Sequence, residues 1–481
     1  MTNLEKIREI ISRKQETAVT IAQNVWEYAE LSYNETKSAK SFTDALKEEG
    51  FTVEEGIADI PTAFKASFKI GTGKPVIGLL AEYDALEGLS QKAACTQKEA
   101  IIPQGNGHGC GHNLLGAGSY LSAVTLKEFL TENGLNGTVV LFGCPAEEGA
   151  GSKQFIARAG CFDDVDFVYT WHPGDSNGVQ SESDAAIMGA SFSFQGITSN
   201  PGSNPHLGRS ALDACELMNV GVNYLREHMI SSARIHYAYA DAGGTAPNVI
   251  PDHATIKYEI RAPKVEQARE LFTRVTDIAK GAALMTGTTM TYELKMAFSD
   301  YVPNKALSQR LEQAIEECGA PVWNEEDYEL AKALLRSYDK DSYRNILDRL
   351  SIRYPDEEVL KRMLEKPLDD IITPYNINDT TYNTGSTDVG DVGYVVPTSQ
   401  FHMSTGCIGN IMHTWQNTAF SNSPIGMKGM IKAAEVMAYA SILTMDDEEL
   451  IEKAKKEVLK KNGGKYECPL PDYVTPPIDN Y

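Results

Sequence analysis

Nowhere in the 481 residues does an apolar run approach the ~20 that span a bilayer. The N-terminus, Met-Thr-Asn-Leu-Glu-Lys-Ile-Arg-Glu-Ile-Ile, mixes charged with apolar residues and opens no long hydrophobic stretch, so neither a membrane span nor an export signal is expected. Positive charge is also scarce. Lys and Arg number 44 against 66 Asp and Glu, a formal net charge of −22, which disfavours nucleic acid and anionic membrane as partners. The eight cysteines, at 95, 110, 144, 161, 215, 318, 407 and 468, lack the spacing of a disulfide framework. A soluble chain in a reducing, cytoplasmic setting is the expectation. No internal repeat or low-complexity tract interrupts it.

What is present is enough chain for at least two domains of roughly 100 to 250 residues each. Helix and strand periods alternate, which points to an α/β architecture. Residues 4 to 49 read as largely helical, with a break at Gly50 and a strand beginning at Phe51. Apolar runs at 75–81, 137–143 and 167–171 read as buried strands. From 190 to 298 the texture changes: alternating Ala-Ser-Phe-Ser-Phe-Gln, a helix over 210–228, strands near 236–240 and 254–261, and a helix over 265–286. That order suggests a β-α-β-β-α-β unit. The expected organisation is an α/β domain over 1–189 and 299–481 with a ferredoxin-like α+β domain inserted at 190–298. The segment 324–370 is charged and helical, and the tail from Gly463 reads as an extended strap.

Metal-binding residue types gather in short motifs. Gly-Asn-Gly-His-Gly-Cys-Gly-His-Asn occupies 105–113 and Cys-Pro-Ala-Glu-Glu-Gly occupies 144–149; His172 follows in Thr-Trp-His-Pro and His413 in Ile-Met-His-Thr-Trp. Thiolate, imidazole and carboxylate together suit divalent zinc, manganese or cobalt, and a glutamate not used as a ligand can act as a base. Cys110 and His112 lead into a helical pattern over 114–131, a place where a thiol's pKa is depressed. Glu147 and Glu148 end an apolar strand and face different directions, so one can bind metal while the other takes a proton from water. Taken singly, each motif also fits an ordinary role: a glycine turn with a buried Cys, a solvated acidic pair, a hydrogen-bonded core histidine, a loop histidine. The chemistry read from the set is metal-assisted hydrolysis.

The motifs resemble those of the M20 metallopeptidase and amidohydrolase family. Gly-His-Gly-Cys-Gly-His-Asn-Leu-Leu-Gly, Pro-Ala-Glu-Glu-Gly, Phe-Asp-Asp-Val-Asp with Thr-Trp-His-Pro, Gly-Arg-Ser-Ala-Leu-Asp-Ala, Pro-Asn-Val-Ile-Pro, Ser-Thr-Asp-Val-Gly-Asp-Val and His-Thr-Trp-Gln occur in family order from about residue 80 to 440. The resemblance implies a zinc-peptidase-like catalytic α/β domain whose insert serves as lid and dimer interface. It implies two divalent ions, zinc or manganese with cobalt as a further candidate. Cys110 would bridge them, and His112, Glu148, His172 and His413 would complete their shells. Glu147 would be the general base, and Asp84, in Ala-Glu-Tyr-Asp, would orient a ligand from behind. Asn248 and Arg261 match positions that polarise the scissile carbonyl and hold a substrate carboxylate, the latter a task suited to a guanidinium.

One departure stands out. Where family members carry a histidine in the loop opening the lid helix, this chain reads Gly-Ile-Thr-Ser-Asn-Pro-Gly-Ser-Asn-Pro-His over 196–206. Asn200 stands in that place, with His206 as a substitute donor. Losing such an oxyanion donor costs about 2.7 to 4 kcal/mol in other enzymes. The resemblance implies hydrolysis of an amide in a small N-acyl amino acid, an aminobenzoyl-glutamate-like compound or a dipeptide, by a homodimer and with a second hydrolase subunit as a candidate partner. The alternatives are a metal-binding, catalytically weak protein that holds an amide ligand, and a metal-dependent deaminase on the same scaffold.

Overall fold

The computed structural model describes residues 1–478. Its strands, in chain order, are β1 (Thr52–Glu55), β2 (Phe64–Ile70), β3 (Val76–Ala81), β4 (Gly137–Gly143), β5 (Phe167–Gly174), β6 (Asn177–Val179), β7 (Ser183–Asp184), β8 (Ala186–Gln195), β9 (Arg234–Asp241), β10 (His253–Ala262), β11 (Thr289–Phe298), β12 (Ile372–Thr373), β13 (Tyr382–Asn383) and β14 (Thr398–Ser404). Eight of them form a mixed sheet in the order β1-β2-β4-β3-β5-β14-β6-β12. At its centre β4, β3, β5 and β14 run parallel, and their interior-facing runs of Val, Ile, Leu and Phe are buried on both faces, as parallel sheets require.

One face of this sheet is covered by the helices Asn3–Tyr28, His112–Glu132 and Pro424–Met445, which share an apolar core with Leu79, Leu141 and Tyr169. The helix His112–Glu132 is buried along nearly its whole length because it lies between the sheet and its neighbouring helices. The other face, with Leu80, Phe142 and Val168, joins a core that continues into the second sheet through Ala186, Ala262 and Tyr301.

That second sheet is antiparallel with the order β11-β8-β10-β9, and the helices Ala211–Leu225 and Val265–Thr286 connect its strands in the β-α-β-β-α-β sequence of a ferredoxin-like unit. Its first strand starts at Ala186 rather than 190. Ala186, Ile187 and Met188 pair with Ala262, Arg261 and Ile260, but their apolar run does not alternate, so the period appears only further on.

Two other readings are refined. The expected helix over 4–49 is two helices, Asn3–Tyr28 and Thr36–Glu48, parted by Ala29 and Tyr33 in left-handed backbone conformations. The turn between them drives Glu35 into the interior, where its carboxylate accepts from Ala146 N at 2.8 Å. The segment 324–370 folds into three helices capped by Asn324, Asp339 and Asp356, around a small apolar core of its own. The tail from Gly463 to 478 contains no strand and no α-helix, and its carbonyls at Pro471 and Val474 accept from Arg158; the last three residues of the expected strap lie outside the described residues. All eight cysteines are free, and among the described residues no helix is long and apolar enough to cross a membrane.

Candidate metal centre

The carboxyl ends of the parallel strands carry the chemistry, the edge at which open α/β sheets bind ligands. Glu82 and Asp84 follow β3, Glu147 and Glu148 follow β4, His172 lies within β5, and β14 runs into the loop bearing His413. Cys110 precedes and His112 begins the helix His112–Glu132. The donor atoms of Cys110, His112 and His172 lie within 4.8 Å of one another, as do those of Cys110, Glu148 and His413. Cys110 belongs to both groups, the position a bridging thiolate requires.

Local bonds fix these donors. Asp84 Oδ1 lies 2.8 Å from His112 Nδ1, leaving Nε2 to face the cluster, while Asp84 Oδ2 accepts from Glu148 N at 2.8 Å. His172 Nδ1 is 2.8 Å from the Pro173 carbonyl, so its Nε2 turns toward Cys110 Sγ at 3.6 Å. His413 N donates to Gly109 O at 2.9 Å, joining the two loops that carry ligands, and His413 Nε2 is 3.3 Å from Glu148 Oε1.

The electrostatics describe a site short of positive charge. Burial, with the Glu148 charge, pushes the Cys110 thiol well above its usual range. This corrects the expectation of a depressed thiol: at the helix start, desolvation outweighs the helix N-terminus when no cation is near. Burial opposes protonation of His112, but Cys110 and Asp84 raise its pKa well above the imidazole range. Against the upward push of burial, the His413 and His112 imidazoles hold Glu148 at about 2. Burial, then Glu82 and Glu148, raise Glu147 well above the carboxylate range.

Divalent cations fit this set. His112 Nε2, Glu82 Oε2 and Glu148 Oε1 are buried and lack hydrogen bonds, each having an ion-pair neighbour at 3.3 Å, an arrangement that a metal would complete. Thiolate, imidazole and carboxylate together admit zinc, manganese or cobalt.

Sequence reasoning missed the layer behind the donors. Lys153, fully buried, places Nζ 2.6 Å from Glu82 Oε1 and 2.5 Å from Asp388 Oδ1. Asp388 Oδ2 also accepts from Ser152 N and Lys153 N. Asp388 lies in a motif singled out above, Ser-Thr-Asp-Val-Gly, and Glu82 stands two before Asp84; nothing in the sequence around Lys153 marks it. Glu35, raised to about 8 by burial and the Asp84 charge, is another such residue.

The remaining candidates are elsewhere. Arg261, in β10, donates to Thr384 O at 3.3 Å and Ser386 Oγ at 3.2 Å, beside the loop that leads to Asp388. Asn200 and His206 are exposed on the loop before the helix Ala211–Leu225, and Asn248 is exposed on the turn before β10. Asn200 Oδ1 accepts from Gly202 N and Ser203 N within its own turn. The structure does not bring these three into the donor cluster.

Comparison with known proteins agrees with this geometry. The peptidase family M20/M25/M40 matches residues 78–334. The chain is 40% identical over 473 residues to one of the subunits of p-aminobenzoyl-glutamate hydrolase from Escherichia coli, covering 98% of each chain. Among solved structures it is similar to an aminobenzoyl-glutamate utilization protein from Klebsiella pneumoniae, with a TM-score of 0.60 at 17% identity over 91% of this chain and 98% of that one. A dinuclear metal-binding M20 peptidase from Bacillus subtilis has a TM-score of 0.57 at 17% identity, over 91% and 99% of the two chains. The matched motifs, the shared fold and the near full-length relative place the chain in the M20 peptidase family.

Proposed function

We propose that the protein, a metal-dependent amidohydrolase by family, cleaves the amide of a small N-acyl amino acid, a p-aminobenzoyl-glutamate-like compound or a dipeptide. The observation that carries this reading is Cys110, shared by two donor groups, with Glu147 Oε2 3.8 Å from His112 Nε2 beside them. Cys110, His112 and His172 would hold one divalent ion and Cys110, Glu148 and His413 the other, zinc or manganese being the first choices and cobalt a further one. When bound, the ions supply Lewis acidity and positive charge for developing oxyanion character. Glu147 takes the proton of the attacking water and returns it to the leaving amine, the work of a general base turned acid. Asp84 keeps the His112 ring in the orientation that presents Nε2.

Arg261 is the candidate grip for a substrate carboxylate, since its guanidinium sits at the junction of the smaller sheet with the loop 384–388. The unit 190–298 acts as the lid and the dimer interface, bringing Asn248, Asn200 and His206 to an active site on closure or from a second copy. Its edge strand β9 supports pairing with that copy: one side is unpaired, and Tyr237 and Tyr239 are exposed along it. The E. coli relative is one subunit of a hydrolase, which supports a companion subunit here as well. Eight free cysteines suit a reducing, cytoplasmic setting.

Elemental analysis of purified protein, beside hydrolysis of N-acyl amino acids and p-aminobenzoyl-glutamate with and without chelator, tests the reading. The expected result is about two divalent ions per chain and chelator-sensitive release of an amine. Metal-free protein under replete conditions sinks it. Bound metal without turnover favours the second reading, a weakly catalytic amide binder, for which the observation is Asn200, whose carbonyl is engaged in its own turn.

A further inference from the structure

Glu82 has one oxygen accounted for and one not. Its Oε1 lies 2.6 Å from Lys153 Nζ, and that lysine is fully buried, with Asp388 Oδ1 2.5 Å away on its other side. Asp388 is tied in turn to the backbone of Ser152 and Lys153. Glu82 Oε2 is buried without a hydrogen-bond partner and lies 3.3 Å from His112 Nε2, which also has none. His112 cannot turn the other ring nitrogen toward it without giving up Asp84 at Nδ1. The donor atoms of Glu82, His112 and Glu147 form a third group within 4.8 Å of one another.

Glu82 thus aims one oxygen at Lys153 Nζ and the other at the nitrogen that His112 turns toward the cluster. An imidazole nitrogen and a carboxylate oxygen 3.3 Å apart, neither in a hydrogen bond, can share a proton or, in its place, a divalent cation. We infer that Glu82, held in place by Lys153, is an additional ligand of the ion that His112 Nε2 holds, the one donor common to its group and to that of Cys110 and His172. The inference rests on the metal-hydrolase reading above. It makes the two positions unequal: this inner ion has buried donors in Cys110, His112 and Glu82 and a half-buried one in His172, whereas the outer one depends on His413, whose side chain is 52% exposed.

The test is metal retention. Wild type and Glu82→Gln, loaded with zinc and freed of excess, are dialysed against graded chelator; ions per chain are counted and both affinities measured by competitive titration, with circular dichroism of the metal-free proteins as a check on folding. Wild type should give up the outer ion first. In Glu82→Gln the inner affinity should fall by more than about 100-fold, beyond the 10–100-fold that follows loss of a supporting residue. A smaller fall overturns the assignment. If Glu82→Gln does not fold, Glu82→Asp keeps the charge and draws the oxygen back by a methylene; wild-type retention in that variant also overturns it. A wild type that binds no zinc overturns the metal-hydrolase reading together with this one, whereas two ions in wild type and an unaffected variant overturn the role of Glu82 alone.

Discussion

At the scale of single residues, the donors were legible because metal chemistry restricts residue types and their motifs are short. Cys110, His112, Glu148, His172 and His413 could be nominated from sequence, and the structure gathers them. Lys153 and Glu82 could not. A lysine at a helix start is usually solvated, and only the fold shows that this one is enclosed between two carboxylates. Two predictions belong here. Glu147→Gln should keep both metals and lose about 10²- to 10⁴-fold in kcat, the share of a general base; metal analysis beside steady-state kinetics checks it, and undiminished turnover would remove Glu147 from that role. Asp84→Asn should weaken metal binding about 10- to 100-fold, because the amide no longer fixes His112 as a carboxylate does. Competitive chelator titration reads that loss, and unchanged affinity would show that His112 holds its orientation unaided.

At the scale of elements, strand and helix periods read from the sequence found β3, β4, β5, β9 and β10 within a few residues, the first three because buried apolar runs leave little choice of period, but named neither β2 nor β14. The reading failed where a turn serves the site, as between Tyr28 and Thr36, whose left-handed residues carry no signal as clear as glycine. It also gave no role to the charged helices of 324–370. Tyr338, just past the helix Glu325–Leu335, donates to Asn410 Oδ1 at 2.9 Å and accepts from Ile411 N at 3.0 Å. Arg349 donates to Gly409 O, and Arg353 pairs with Asp175, which accepts from Gly409 N. These bonds hold the loop 405–414, in which His413 sits at a left-handed φ of 60°. Tyr338→Phe leaves two partners unsatisfied and should destabilise the fold by about 1–3 kcal/mol. The outer ion should also be lost at lower chelator concentration than in wild type. Urea denaturation and metal retention measure the two effects; an unchanged denaturation midpoint with unchanged retention would show that the helices do not support the loop.

At the scale of the whole molecule, length led to the expectation of at least two domains but carried no sign of how two sheets are joined. The junction is built from side chains distant in sequence. Asp184 of β7 bridges to Tyr301, and β7 pairs with β13, so the connections into and out of the smaller sheet meet there. Asp184 is buried, with Gln180 Nε2 donating to Oδ2 at 2.9 Å. Burial raises its pKa from 3.8 to about 7, against the lowering effect of the Gln180 bond. The sign follows from proton counts. Between the unfolded value and about 7 the folded chain holds a proton that the unfolded chain has released, so stability falls as pH rises through that window and levels off above it. The slope is at most about 1.4 kcal/mol per pH unit for one such group. In Asp184→Asn the amide keeps an acceptor for Gln180 and has no proton to release, so this component of the slope should vanish and the variant should gain on wild type as pH rises from 5 to 8. Urea midpoints of the metal-saturated proteins across that range test it through their difference, which cancels the titration of groups common to both. Parallel curves would mean that Asp184 is ionised in the folded junction and that water or a cation reaches it there.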